Sequence, residues 1–373
     1  MEPYLMTAKT LSGLESILAK EIEELGGLKV EKGKRIVYFE GNDGLMMKAN
    51  LRLRTALSIL IPFAEFQAKN ENELYQETLD IPWEDIFSLR NTFSIQAVVG
   101  GEYFNHSKYV ALKVKDAIAD RFRKVTGRRP NVDPKDADYQ INVHINRDRC
   151  TLSFDSTGKT LDKRGYRLKS NEAPINECLA AGIILKSGWD KKRCIYDPMS
   201  GSGTFGIEAA LIGRNMAPGM KRRFSFQNWA DFNQELFYQI KDELKAEETA
   251  LQTEIYCSDI EKQNLSIITE NAVRAGVIND LTIEHLDYFK SSKRCDSGVA
   301  FLNPPYGERM NLDHSKETYK AIGDQLKQHY TNCDAWVISS NMPAMKAFGL
   351  KAESKEMVFN GGLECRLQHY KLF

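Results

Sequence analysis

Cys194-Ile195-Tyr196-Asp197-Pro198-Met199-Ser200-Gly201-Ser202-Gly203-Thr204-Phe205-Gly206 is a short apolar run that empties into a glycine-rich turn. Ile207-Glu208-Ala209-Ala210-Leu211-Ile212 then carries on as a helix. A buried strand, a tight turn and a helix in that order form the repeating unit of an open α/β sheet. The glycines let backbone approach a ligand closely. Gly201, Gly203 and Gly206 formally match the dinucleotide fingerprint, whose acidic partner follows roughly 20 residues further on. Here the next strand-end acid is Asp259, after Glu254-Ile255-Tyr256-Cys257-Ser258. Asp197 also sets a carboxylate at the mouth of the loop, which suits a cofactor bearing ammonium and sulfonium groups better than a pyrophosphate.

Further along, Val299-Ala300-Phe301-Leu302 reads as a second buried strand that breaks into Asn303-Pro304-Pro305-Tyr306-Gly307. Proline has no N–H to extend the ladder, so the chain leaves the sheet at its rim. Open α/β sheets place their ligands at such strand ends. The Asn303 amide oxygen and the Pro304 carbonyl can accept the two hydrogens of an exocyclic NH2 group, while Tyr306 stacks on the attached ring. Asn-Pro and Pro-Pro are also ordinary loop signals, so the weight of this motif comes from its pairing with the glycine turn.

Taken together, Asp197-Pro-Met-Ser-Gly-Ser-Gly-Thr204, Ser258-Asp259-Ile260, Leu286-Asp287 and Asn303-Pro-Pro-Tyr-Gly-Glu-Arg-Met310 resemble the class I S-adenosylmethionine-dependent methyltransferases that modify exocyclic amines. The likeness extends to THUMP-domain RNA methyltransferases related to the large-subunit rRNA guanine-N2 methyltransferase, proteins often labelled N6-adenine-specific DNA methylases. It covers nearly the whole chain, including Leu161-Asp-Lys-Arg-Gly-Tyr-Arg167 and Ala173-Pro-Ile-Asn-Glu-Cys-Leu-Ala-Ala181. One departure is Ser200, where the family pattern carries Cys; that position serves through its backbone. The resemblance implies a Rossmann-like, doubly wound sheet, S-adenosylmethionine as cofactor with S-adenosylhomocysteine as product, no metal, and RNA as partner, 23S rRNA in particular.

The chain has 373 residues, enough for two or three domains, with 42% hydrophobic and 27% charged residues. Met1-Glu-Pro-Tyr lacks a basic region followed by an apolar core, and no run approaches the ~18 apolar residues of a membrane span. A cytoplasmic location without membrane attachment is expected. Seven cysteines (Cys150, Cys178, Cys194, Cys257, Cys295, Cys333 and Cys365) are scattered without a C-x-x-C pair, so they read as buried thiols rather than a disulfide framework or zinc site. Net charge is zero, but residues 108–170 hold 16 Lys and Arg against 8 acids, while 231–256 hold 2 Lys against 7 acids. The basic stretch could track phosphates or be a solvated helix face.

Residues 1–66 read strand, helix, strand, strand, helix, strand, a ferredoxin-like order. Its first helix has a possible capping box at Ser12 and Glu15 and ends at Gly26-Gly27. Residues 67–157 form a second α+β unit, where the family resemblance places the THUMP fold, and include a long helix Ser107–Thr126. Polar residues 158–172 read as a linker. Residues 173–373 alternate helix and strand as a doubly wound sheet requires, and Gly361-Gly362 turns a closing hairpin.

In this framework Gly201, Gly203 and Ser200 would face the amino-acid end of the cofactor, and Asp259 with Ile260 its ribose side. Asp259 could equally cap the following helix. Asp287 would accept from the adenine amino group, with Tyr288 or Phe289 flanking the ring. Asn303, Pro304, Pro305 and Tyr306 would align the substrate amine. Lys163, Arg164 and Arg167 would grip RNA phosphates, or else pair with carboxylates across the interdomain junction. Three other functions share parts of the pattern. Adenine-N6 methylation of RNA or DNA and methylation of a protein glutamine amide would both use Asn-Pro-Pro-Tyr. A non-catalytic RNA-binding protein would have lost Asn303 or the glycines, and both are present.

Overall fold

In the computed structural model the described residues are 2–167, 174–305 and 312–373. The N-terminal strands are β1 (Tyr4–Thr10), β2 (Leu28–Gly33), β3 (Ile36–Gly41), β4 (Ala56–Gln67), β5 (Thr92–Gly100), β6 (Asn131–Val132), β7 (Tyr139–Asn146) and β8 (Arg149–Asp155). They form one sheet in the order β2-β3-β1-β4-β8-β7-β5-β6. The junction is β4, whose first half pairs antiparallel with β1 and whose second half pairs with β8. The two units read from the sequence therefore share a continuous sheet. Pro62 sits where the β4–β8 register shifts, since its missing N–H cannot enter the ladder.

The helix Glu15–Glu24 buries Leu18, Ala19 and Ile22 against this sheet, and the chain leaves it through Gly26 at φ +92°. The expected capping box does not form. Glu15 instead accepts the N–H groups of Gly13 (2.8 Å) and Arg35 (3.0 Å), tying the helix start to the β2–β3 turn. The helix Ser107–Thr126 has its expected limits and presents Val110, Val114, Ile118 and Phe122 to the core.

The second sheet contains β9 (Cys194–Asp197), β10 (Ile255–Asp259), β11 (Thr282–His285), β12 (Gly298–Leu302), β13 (Cys333–Ser339), β14 (Ser354–Asn360) and β15 (Leu363–Lys371). Their order is β11-β10-β9-β12-β13-β15-β14, parallel through β13 and closed by the antiparallel β14–β15 hairpin. From β9 the chain moves outward to β10 and β11, then returns to the other side of β9 for β12. That reversal between β9 and β12 opens the crevice where doubly wound sheets hold ligands. Both central strands are buried along their whole length, as apolar runs covered on two faces must be. Phe205, on the helix Thr204–Gly213, stacks on Phe301 at 5.2 Å and fixes that helix over β12.

Residues 158–167, read as a linker, are packed into the structure. Leu161 is buried and its N–H donates to Leu57 O (2.7 Å), while Arg222 donates to Thr160 O (2.7 Å) and Lys163 O (2.9 Å). The cysteine reading also needs correction. Cys194 and Cys295 are joined as a disulfide, their Cα atoms 6.4 Å apart, whereas the remaining five are buried thiols. The partners lie 101 residues apart, so no local spacing announced them. Among the described residues no helix is long and apolar enough to cross a membrane.

Candidate active site

The glycine loop is held from three sides. Ser200 N–H donates to Ser258 O (3.0 Å), Gly201 N–H to Asp259 Oδ2 (2.8 Å) and Gly203 N–H to Ser200 O (2.8 Å). Gly203 has φ +78°, and a Cβ there would lie 2.8 Å from Ile268 Cγ2, so both conformation and space require glycine. A Cβ at Gly206 would fall 2.2 Å from Cys257 Sγ, which is how closely the helix Thr204–Gly213 approaches β10. Asp197 is buried at the end of β9, and its Oδ2 accepts the Gly206 N–H (3.2 Å). Burial raises its carboxyl from 3.8 to about 7, with the charge of Asp259 acting in the same direction.

Asp259 ends β10 and ties two elements together. One oxygen accepts from Gly201, and the other from Glu261 N (2.9 Å) and Asn264 Nδ2 (3.0 Å). A carboxylate has about four acceptor positions, so room remains for one further donor. Asp259 thus closes the turn ahead of the next helix, Lys262–Ala275, whose N-cap position is Glu261, and steadies the glycine loop at once. Ile260 beside it is 60% exposed. At the end of β11, Asp287 Oδ1 accepts the Phe289 N–H (3.0 Å).

Tyr288 does not flank this crevice. It is buried in the core between β12 and the C-terminal helices, with its hydroxyl donating to Ile322 O (3.1 Å) and its ring stacked on Tyr330. The short turn Tyr288–Lys290 sends the first ring inward and the next outward, so Phe289, 44% exposed, is the ring available to a ligand.

Asn303 follows β12 directly. Its Oδ1 is buried and has no hydrogen-bond partner among the described residues. A buried amide oxygen left unpaired costs free energy that a ligand donor would recover. Pro304 is buried and Pro305 exposed. Tyr306 lies outside the described residues.

Of the three basic residues expected to grip RNA, only Lys163 projects into solvent, its side chain 67% exposed beside Asp162. Arg164 is a correction. Its side chain is 2% exposed and donates to Leu161 O (2.8 Å) and Arg54 O (2.5 Å), with Nε 3.4 Å from the fully buried Glu208. Arg167 is also turned inward, 12% exposed, donating to Ile175 O (2.9 Å) and Thr204 Oγ1 (2.6 Å) and paired with Glu177 at 3.5 Å. Both guanidiniums therefore brace the helix that follows the glycine loop and cannot meet a phosphate. The pairing across the junction is the alternative realised.

Two supports went unread in the sequence. Asn264 holds Asp259, and Asn271 donates to Ser202 O (3.0 Å) from a buried position on the same helix. The available signal was two asparagines two turns apart on the face that also carries Ile268 and Ala272. The Cys194–Cys295 disulfide, with Glu254 beside it, lies at the N-terminal ends of the strands, opposite Asn303.

Models of known families match three consecutive stretches: an RlmL ferredoxin-like domain over 6–60, a THUMP domain over 68–155 and an RMKL-like methyltransferase domain over 164–369. A Synechocystis protein named "Putative RNA methyltransferase" is 36% identical over 100% of this chain and 97% of its own length. The "Ribosomal RNA large subunit methyltransferase K/L" of Syntrophotalea carbinolica is 34% identical over 99% of this chain, but only 54% of its own length. The chain spans about half the length of the K/L proteins it matches. Among solved structures, SMU.472, titled a "putative methyltransferase complexed with SAH", superposes over 100% of this chain and 99% of its own with a TM-score of 0.89 at 28% identity. A protein from Listeria monocytogenes, titled a "predicted N6-adenine-specific DNA methylase", reaches 0.88 at 31% identity, covering 100% of this chain and 97% of its own.

Proposed function

The chain belongs to the RMKL-like methyltransferase family, and from that premise we propose that it methylates the exocyclic N2 amine of a guanine in large-subunit ribosomal RNA. The observation that carries the reading is the unpaired Asn303 Oδ1 at the end of β12, an acceptor with nothing to accept among the described residues. An exocyclic amine donates one hydrogen to it and the other to the Pro304 carbonyl, which turns the nitrogen lone pair toward the crevice between β9 and β12. The base must leave its helix to reach that position.

The residues present fit S-adenosylmethionine. A left-handed glycine turn exposes backbone to the amino-acid portion, Asp259 keeps one acceptor position for a ribose hydroxyl, and Ile260 and Phe289 offer exposed apolar surface to adenine beside Asp287. The cofactor supplies an electrophilic methyl group on a sulfonium. The chain's contribution is alignment in a dry, preorganised site, because an in-line displacement needs orientation more than a strong base. Ferredoxin-like and THUMP matches ahead of the catalytic domain, together with the basic run 108–170, support RNA as substrate.

Asp197 gives a pH dependence. A folded carboxyl near 7 against 3.8 when unfolded means that the folded state holds more protons over that interval. This group therefore withdraws stability from the cofactor-free protein as pH rises from about 4 to 7. A nearby ammonium favours the ionised form, and such an amine stays protonated below about 7.7. Affinity for S-adenosylhomocysteine should thus rise about tenfold between pH 5.5 and 7.5, and Asp197→Asn should flatten the rise in calorimetry. An unchanged slope in the variant would remove Asp197 from the cofactor site.

The substrate assignment is checked by mass spectrometry of 23S rRNA from cells with and without the gene. Loss of one N2-methylguanosine is expected. Loss of an N6-methyladenosine instead would transfer the function to the adenine reading, which uses the same Asn-Pro-Pro geometry.

A further inference from the structure

A separate cavity of about 460 Å³ opens between the N-terminal sheet and the segment leading into the helix Gln234–Ala246. Its walls are aromatic. Phe63 stacks on Phe154 at 4.1 Å, Tyr139 on Trp229 at 6.2 Å, and Phe154 leans against Trp229 at 5.8 Å. Asp43, Asp85 and Asp231 also line it, and no Lys, Arg or His among the described residues does. These acids come from the ferredoxin-like unit, the THUMP unit and the catalytic region respectively. Asp43 accepts the Tyr4 hydroxyl (2.9 Å), whereas Asp85 and Asp231 stand exposed at the rim with no side-chain hydrogen bond or salt bridge among the described residues.

An anion would be repelled here, which excludes an RNA backbone. A neutral apolar ligand would gain nothing from the three carboxylates. Aromatic faces and carboxylates share one complement, a positive charge carried on an apolar stem. We propose that this cavity binds an organic cation, a guanidinium or ammonium group, with its stem on the aromatic wall and its charge among Asp43, Asp85 and Asp231. The volume suits a small molecule or a single side chain. Because the three acids belong to three units, an occupant also ties the RNA-binding sheet to the catalytic region.

The same chemistry could be a free amine or an arginine side chain of a protein, and titration calorimetry on the full chain at low salt separates them. Agmatine serves as the free probe, and a Gly-Arg-Gly peptide with its citrulline analogue as the side-chain probe. Saturable one-site binding is expected for agmatine or the arginine peptide, with the tighter probe identifying the source. The double variant Asp85→Asn/Asp231→Asn should lose at least about tenfold in affinity, while its melting temperature and S-adenosylhomocysteine affinity stay at the parent's values. Absence of saturable binding by both probes, equal binding of the uncharged citrulline peptide, or unaltered affinity in the double variant would each overturn the proposal.

Discussion

Replacing Asn303 by alanine lowers methyl transfer by on the order of 10²–10³-fold and leaves S-adenosylhomocysteine affinity within about twofold of the parent. The expectation follows from where the amide oxygen sits. It is buried, has no partner among the described residues, and immediately follows the fully buried β12. The backbone therefore fixes its position before any substrate arrives. An acceptor placed in this way acts on the amine's orientation, so its removal affects kcat far more than cofactor binding, which rests on other strand ends. Removing an unsatisfied acceptor also relieves a buried penalty, so the variant should melt no lower than the parent. Single-turnover kinetics with saturating RNA, together with calorimetry, measures both halves. A variant that retains activity within a few-fold would end the aligned-amine account, and one that loses cofactor affinity in parallel would place Asn303 in the cofactor site instead.

Much of this site could be read in the chain because its signals are local. The strand before Asp197, the glycines at 201 and 203, the strand before Asn303 and its two prolines each reveal themselves within a few residues. Asp259 was legible at the end of its strand, but the cap position it offered belongs to Glu261, two residues on, and Asp259 closes the turn before it. What escaped depends on which way a side chain turns. Tyr288 and Phe289 are adjacent aromatics after Asp287, and only the 3₁₀ turn decides that Tyr288 enters the core while Phe289 stays outside.

Arg164 failed differently. A charged residue in a polar stretch reads as solvated, and its burial comes from Glu208, 44 positions away, and from the Arg54 carbonyl, 110 away. Cys194 and Cys295 escaped for the same reason. The long-range partners that bury these groups also join the units, so the sequence reading placed a loose linker where the structure has a packed seam.

That seam carries the other large effect. Arg164→Ala should destabilise the protein by about 3–5 kcal/mol, the usual cost of stranding one member of a buried ion pair. Glu208 has 0% of its side chain exposed; without Arg164 its one remaining hydrogen bond among the described residues is from the Tyr166 hydroxyl at 3.0 Å, with the Arg54 charge still acting on it, while its Oε2 has no hydrogen-bond partner among them even in the parent. The Arg54 and Leu161 carbonyls lose their donor as well. The melting midpoint should fall by on the order of 10 °C. Charge and packing can be told apart with Arg164→Met/Glu208→Gln, which retains the volume of both residues and an acceptor for Tyr166. If the stranded carboxylate dominates, the double variant should regain more than half of the loss, since a buried pair replaced by neutral groups is often tolerated. If the lost carbonyl contacts dominate, it should be no more stable than Arg164→Ala. Because Glu208 lies on the helix that opens with Thr204, to which Arg167 also donates, cofactor affinity should follow stability in Arg164→Ala and recover with it in the double variant. An Arg164→Ala protein that melts with the parent but binds RNA more weakly would return this residue to the phosphate-contacting role that its burial argues against.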